Sequence, residues 1–221
     1  MIIVKEVKTK RDIRKFATYP LKLYKNCPYY VPSFTSDEIN AFNPKKNHGL
    51  KDCECKGFLC YKDGKLVGRI MGIISHNENK IYNTKFVRFS RFECIDDIDV
   101  FKALLGAVGK YGKENGLEDI HGPWGFNDTD REGMLTYGFN ERATYATNYY
   151  YPYFSERMTE LGYEDESKWV ERRFTIPKEP YDRINNISAK LKEKYNLTEV
   201  AEGRKIGEII KLYADKLFET Y

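Results

Sequence analysis

Apolar positions change period several times along this chain, and each change marks an element. The opening run IIVKEV (2–7) predicts a strand. Ile13, Phe16 and Leu23 then recur at helical spacing within RDIRKFATYPLKLYK, which predicts a helix capped by Thr9 and kinked near Pro20. A Pro-rich stretch follows, in which Thr35 or Ser36 caps a short helix. GFLCYKDGKLVGRIMGIISH (57–76) predicts two strands around the tight turn Lys62-Asp63-Gly64-Lys65, and KFVRFSRFECI (85–95) a third.

Val100, Phe101, Leu104, Leu105 and Val108 place one apolar face on a helix that Gly116 closes. LEDIHGPW (117–124) predicts the next strand. TDREGMLTYG (129–138) carries a capping-box pattern, Thr129 with Glu132, and predicts a short helix. RATYATNY predicts a strand, PYFSERMTELG a helix and SKWVERRFTI (167–176) a last strand. The order defines an α/β domain with a mixed sheet. It is antiparallel at the hairpin and parallel where a right-handed crossover joins the 85–95 strand to the 117–124 strand.

Composition narrows the function. The 221 residues carry 37 basic and 33 acidic side chains, a net charge of +4, without the concentrated basic stripe that nucleic acid requires. No run is apolar enough to cross a membrane, and MIIVKEVKTKRD lacks the features of a signal peptide. Neither nucleic acid nor a membrane is therefore expected as a partner, and the expected compartment is the cytoplasm. Five cysteines, an odd number, fit a reducing compartment. Cys53, Cys55 and Cys60 match no zinc spacing, so no metal is expected. The 18 Tyr and 13 Phe foretell aromatic-walled grooves as well as an aromatic core.

The hairpin GFLCYKDGKLVGRIMGII and the spacing from Asn127 to Gly138-Phe139 resemble the GNAT superfamily of N-acetyltransferases. FECIDD, GPWGFNDTDREGMLTYGF and YYYPYFSERMTELGY are similar to a bacterial group of GNAT-like proteins. The resemblance covers about residues 1–177. It implies a mixed central sheet of the acyl-CoA N-acyltransferase type with flanking helices, and transfer of an acetyl group from acetyl-CoA to a small-molecule or protein amine.

It also implies site residues. Glu93 stands where the superfamily places the carboxylate that deprotonates the amine. Cys94 and Ile95 offer strand amides to the acyl carbonyl. Asp97 and Ile98 begin the helix that would face the pyrophosphate, and Asn127 can hydrogen-bond the pantetheine arm. Trp124 and Phe126 wall the slot. The superfamily's proton-donating tyrosine falls on Met134, leaving Tyr137 and Tyr153 as candidates. A second departure is ECIDDIDVF, where the superfamily has a basic, glycine-rich phosphate turn. That departure supports a second reading, a GNAT-shaped domain without cofactor that binds a partner or small ligand.

Two geometric expectations follow. The strands 86–95 and 117–122 run parallel and diverge at their carboxyl ends, opening a slot at Glu93, Trp124, Phe126 and Asn127, with no well-formed phosphate cradle beside it. In the tail, LTEVAEGRKIGEIIKLYADKLFETY echoes VKEVKTKRDIRKFATYPLKLYK, so residues 178–221 read as a linker helix and the start of a second unit.

Overall fold

The computed structural model describes residues 1–175, 182–198 and 203–220. Two compact units divide between Trp169 and Val170. The first is built on a five-stranded sheet whose spatial order is its sequence order: β1 (Ile2–Glu6), β2 (Cys53–Lys62), β3 (Lys65–Ser75), β4 (Phe86–Cys94) and β5 (Asp119–His121). β1 to β4 are antiparallel neighbours, while β5 lies parallel to β4. Asp63 and Gly64 both hold positive φ, 50° and 77°, the conformation a two-residue hairpin turn needs. The sheet is thus mixed, with flanking helices, as the element order in the sequence predicts.

One face carries α4 (Ile98–Glu114), the crossover between β4 and β5, together with α5 (Tyr153–Glu160). Val100, Phe101, Leu104 and Val108 pack there against Ile70, Val87, Phe89 and Phe92. Gly68 is required on this face, because a Cβ there would stand 2.7 Å from both Cys94 Cβ and Leu104 Cδ1. The other face is covered by α1 (Lys10–Leu23) and α2 (Thr35–Asn40), and its core gathers Phe16, Leu59, Met71, Ile73 and Phe126. Cys53 and Cys55 face this second core and Cys60 the first, as strand alternation requires. Burial pushes the Cys55 and Cys60 thiols up to about 11, and no cluster of metal-ligating side chains occurs among the described residues.

Two irregularities in β4 and β5 shape the region beyond them. Opposite Arg69–Met71, β4 carries an extra residue, and Arg91 adopts φ 49°. The bulge sets Ser90, Arg91 and Glu93 toward the α1 face while Phe92 and Cys94 face α4. β5 pairs only through Phe86–Arg88, after which Trp124 N donates to Phe89 O at 2.8 Å. Gly122 makes this crossing possible: its φ is 147°, and a Cβ would lie 2.4 Å from Phe89 O. The two strands are parallel neighbours that separate, and β4 continues without β5 to Cys94.

Three predicted elements do not form. Residues 129–138 are not helical, because side chains take over their amides. Asn127 Oδ1 accepts from Thr129 N and Oγ1, Asp130 Oδ2 accepts from Phe126 N, and Gly133 and Gly138 hold positive φ. Residues 142–149 form turns, held by Thr144 N donating to Thr147 Oγ1, in place of a strand. Residues 167–175 are not strand either, and Trp169 stays exposed. One short helix was not foreseen, α3 (His76–Ile81). The second unit contains α6 (Asp182–Tyr195) and α7 (Ile206–Thr220).

Candidate functional site

A buried charge chain crosses the sheet beneath α1 and α2. Arg69, 3% exposed, grips Glu93 from two nitrogens at 2.7 and 3.1 Å and reaches Glu38 at 2.6 Å. Arg91 stands 3.3 Å from the other Glu38 oxygen and lies over the Phe126 ring. Burial works to raise the Glu38 carboxyl, yet Arg69 and Arg91 together hold it below the ordinary carboxylate range. Glu93 is held in place by the Arg69 fork on both of its oxygens. Arg69 uses one lone pair on each oxygen, leaving the remaining acceptor positions for another donor.

Tyrosines surround this end of β4. Tyr24 caps α1, stacks on Tyr30 at 4.3 Å and meets Tyr149 and Tyr151 at 5.8 and 5.0 Å. Tyr150, from the 149–154 aromatic run, is buried beside them. Burial first, and the Glu93 charge second, push the Tyr24 and Tyr150 hydroxyls well above their usual value. Both stay protonated donors at neutral pH. The Tyr24 hydroxyl is buried and has no hydrogen-bond partner among the described residues, whereas buried hydroxyls are normally paired. A 3%-exposed residue with an unspent donor in the field of a carboxylate is a functional candidate on physical grounds.

The predicted site residues are dispersed. Tyr153 donates to Cys94 O at 2.7 Å, tying α5 to the end of β4. Ile95 N is spent on Val67 O at 3.0 Å. Tyr137 is 90% exposed. Asn127 is exposed in its turn, Trp124 stacks on Arg88 at 3.9 Å, and Phe126 is packed in the second core. Of these, two reach the tyrosine cluster: Tyr153 stacks on Tyr151 at 5.7 Å, and the Glu93 charge acts on Tyr24 and Tyr150. Tyr24 and Tyr30 were missed because they lie 60 or more residues upstream of Glu93. The available signal was Arg69, a charge inside the apolar run LVGRIMGII that must find a buried partner.

Asp97 caps α4. Its Oδ1 accepts from Asp99 N and Val100 N at 3.1 and 3.3 Å, while Oδ2 pairs with Lys62. The Lys62 hydrogen bond, then the helix amides, hold Asp97 below its usual range. Asp96 pairs with Arg157 at 2.8 Å. The amides and the nearest cation that a pyrophosphate needs are already used by carboxylates. This terminus does not fit the pyrophosphate of coenzyme A.

No family model matches the sequence. Over 164 residues the chain is 27% identical to Protein YghO of Escherichia coli, matching 73% of this chain and 41% of that one. Over 162 residues it is 25% identical to the bacterial ceramide synthase of Caulobacter vibrioides, covering 71% and 41%. The chain thus spans about two fifths of the length of the curated relatives it matches. Among solved structures it is similar to AAC(6')-Iy bound to a bisubstrate analogue, with TM-score 0.45, 13% identity and coverage of 80% and 99%. A tandem GNAT protein from the clavulanic acid pathway gives TM-score 0.47 at 9% identity, covering 73% and 43%. The chain itself folds as a mixed five-stranded sheet with a helical crossover between its one parallel pair, β4 and β5.

Proposed function

We propose that this chain carries the acyl-transfer site of an N-acyltransferase, with an amine as acceptor. The observation that supports it is the buried Tyr24 hydroxyl, unpaired among the described residues and within the field of Glu93 at the carboxyl end of β4. There the hydroxyl donates to the carbonyl oxygen of the acyl group, where negative charge develops. Glu93, held by Arg69, keeps lone pairs that orient the acceptor nitrogen and receive its proton. As the C–N bond forms the thioester C–S bond breaks, and the leaving thiolate departs as free thiol with that proton. The resemblance makes acetyl-CoA the first donor to test. The name of the Caulobacter relative adds long-chain amino alcohols to the amines worth testing. In the same reading, residues 178–221 are a linker and the start of a second unit. The strand expected there falls on Glu199 and Val200, outside the described residues.

A second reading is favoured by the Asp97–Lys62 closure of α4: a non-catalytic domain that binds a partner or small ligand. One experiment separates them. The chain is mixed with acetyl-CoA or palmitoyl-CoA and a panel of diamines, lysine peptides and sphinganine, and released thiol and amide product are measured. Thiol release that depends on one amine supports transfer. No amine-dependent release, with no calorimetric binding of either thioester at millimolar concentration, leaves the second reading standing.

A further inference from the structure

The second unit presents an apolar stripe that nothing in the first reading uses. On α6, Ile184, Ile187 and Leu191 are 60%, 49% and 44% exposed, and no residue of the helix is buried. At 3.6 residues per turn they share an arc of about 80° with Tyr195. Arg183, Lys190 and Lys194 line one flank of that stripe, and Lys192 the other. Asp182 and Glu193 lie on the opposite side. The four basic residues against two acidic ones give the helix a charge of +2. Lys194 Nζ lies 5.0 Å from the Tyr195 ring, so its stem runs along the edge of the stripe.

We infer that α6 binds an anionic lipid surface, lying in its plane with the Ile184/Ile187/Leu191 stripe inserted and the flanking cations at headgroup level. An apolar arc bordered on both sides by basic residues, with acids turned away, is the charge arrangement such a surface selects. α7 makes a useful contrast. It also exposes an apolar stripe, Ile206, Ile210 and Leu217, so neither helix covers the other. Yet its two lysines face three acids, a charge of −1, and nothing directs it to the same surface. No described helix is long and apolar enough to cross a membrane. An in-plane helix does not need to be. The inference stands apart from the acyl-transfer reading.

Co-sedimentation of the full chain with phosphatidylcholine vesicles, with and without phosphatidylglycerol, tests it. Wild type should partition at least about tenfold better into the anionic vesicles, and high salt should abolish the difference. Lys190→Glu with Lys194→Glu should lose roughly tenfold or more, and Ile187→Asp with Leu191→Asp should lose binding, each with an unchanged circular dichroism spectrum. Absent binding to anionic vesicles overturns the proposal, as does binding that both double variants retain. A wild-type dimer that Ile187→Asp with Leu191→Asp converts to monomer, without vesicle binding, also overturns it, by assigning the stripe to a second copy.

Discussion

Arg69 donates to the backbone carbonyl of Phe16 at 2.9 Å, and Pro20 is the reason that carbonyl is available. In an uninterrupted helix residue 20 would donate its N–H to residue 16, but proline has none. The freed acceptor sits over the sheet, where it takes one guanidinium proton. Glu93 takes two more and Glu38 one, and the Phe16 ring lies 4.7 Å from the guanidinium carbon. A helix irregularity in α1 thereby fixes a buried charge in β3.

Arg69→Met should accordingly be severe. It would leave Glu38 and Glu93 buried with Arg91 as their nearest remaining cation, a loss of about 3–5 kcal/mol. Urea unfolding followed by circular dichroism would show it as a lower midpoint with an unchanged slope. A variant within about 1 kcal/mol of wild type would mean the network does not hold the fold.

How much of this was legible follows from sequence separation. The hairpin, β4 and α4 were readable because each is specified by neighbours: Asp63-Gly64 for the turn, Val100 to Val108 for the helix face. The separating strands were readable from Gly122-Pro123. The charge chain was not, since Arg69 meets Glu38 and Glu93 across 31 and 24 residues. The 129–138 segment misled for a local reason. Its Thr129/Glu132 pattern suits a cap, but Asn127 Oδ1 accepts from Thr129 N, the amide that Glu132 would take in a capping box. Tyr24 was hidden by position, at the end of α1 with no motif around it.

Two glycines should respond oppositely to alanine. Gly122→Ala places a Cβ 2.4 Å from Phe89 O in a left-handed backbone, and should cost about 2 kcal/mol or more. Gly106, inside α4, has nothing within 4 Å of its Cβ position, so Gly106→Ala should gain about 0.5–1 kcal/mol in helix propensity. Thermal melts of the two variants should shift in opposite directions.

Acid should unfold the protein partly through Glu38 and Asp97. Both folded-state values lie below those of the unfolded chain, 4.5 and 3.8, so the unfolded state binds protons first as pH falls. Their stabilisation is complete above those unfolded values and is lost as pH drops through the folded ones. Asp97→Asn can still cap α4 but cannot form the Lys62 ion pair. Its stability should fall less steeply below pH 4 than that of wild type, measured by urea titration across the acid range. An identical acid slope would show that the pair contributes nothing to it.

Tyr24→Phe should separate stability from activity. The hydroxyl is buried without a partner, and an unsatisfied buried group of this kind costs about 1–3 kcal/mol. Removing it while keeping the ring preserves the contacts with Tyr30, Tyr149 and Tyr151. The variant should therefore unfold at a temperature equal to or above wild type. If the hydroxyl polarises the acyl carbonyl, amine-dependent thiol release should fall by about a hundredfold, the scale for losing one oxyanion donor. Phenylalanine at neighbouring Tyr149, whose hydroxyl donates to Phe139 O, should lose stability without that drop in rate. A Tyr24→Phe variant that loses stability while retaining full transfer would assign Tyr24 to packing and remove the observation on which the acyl-transfer reading rests.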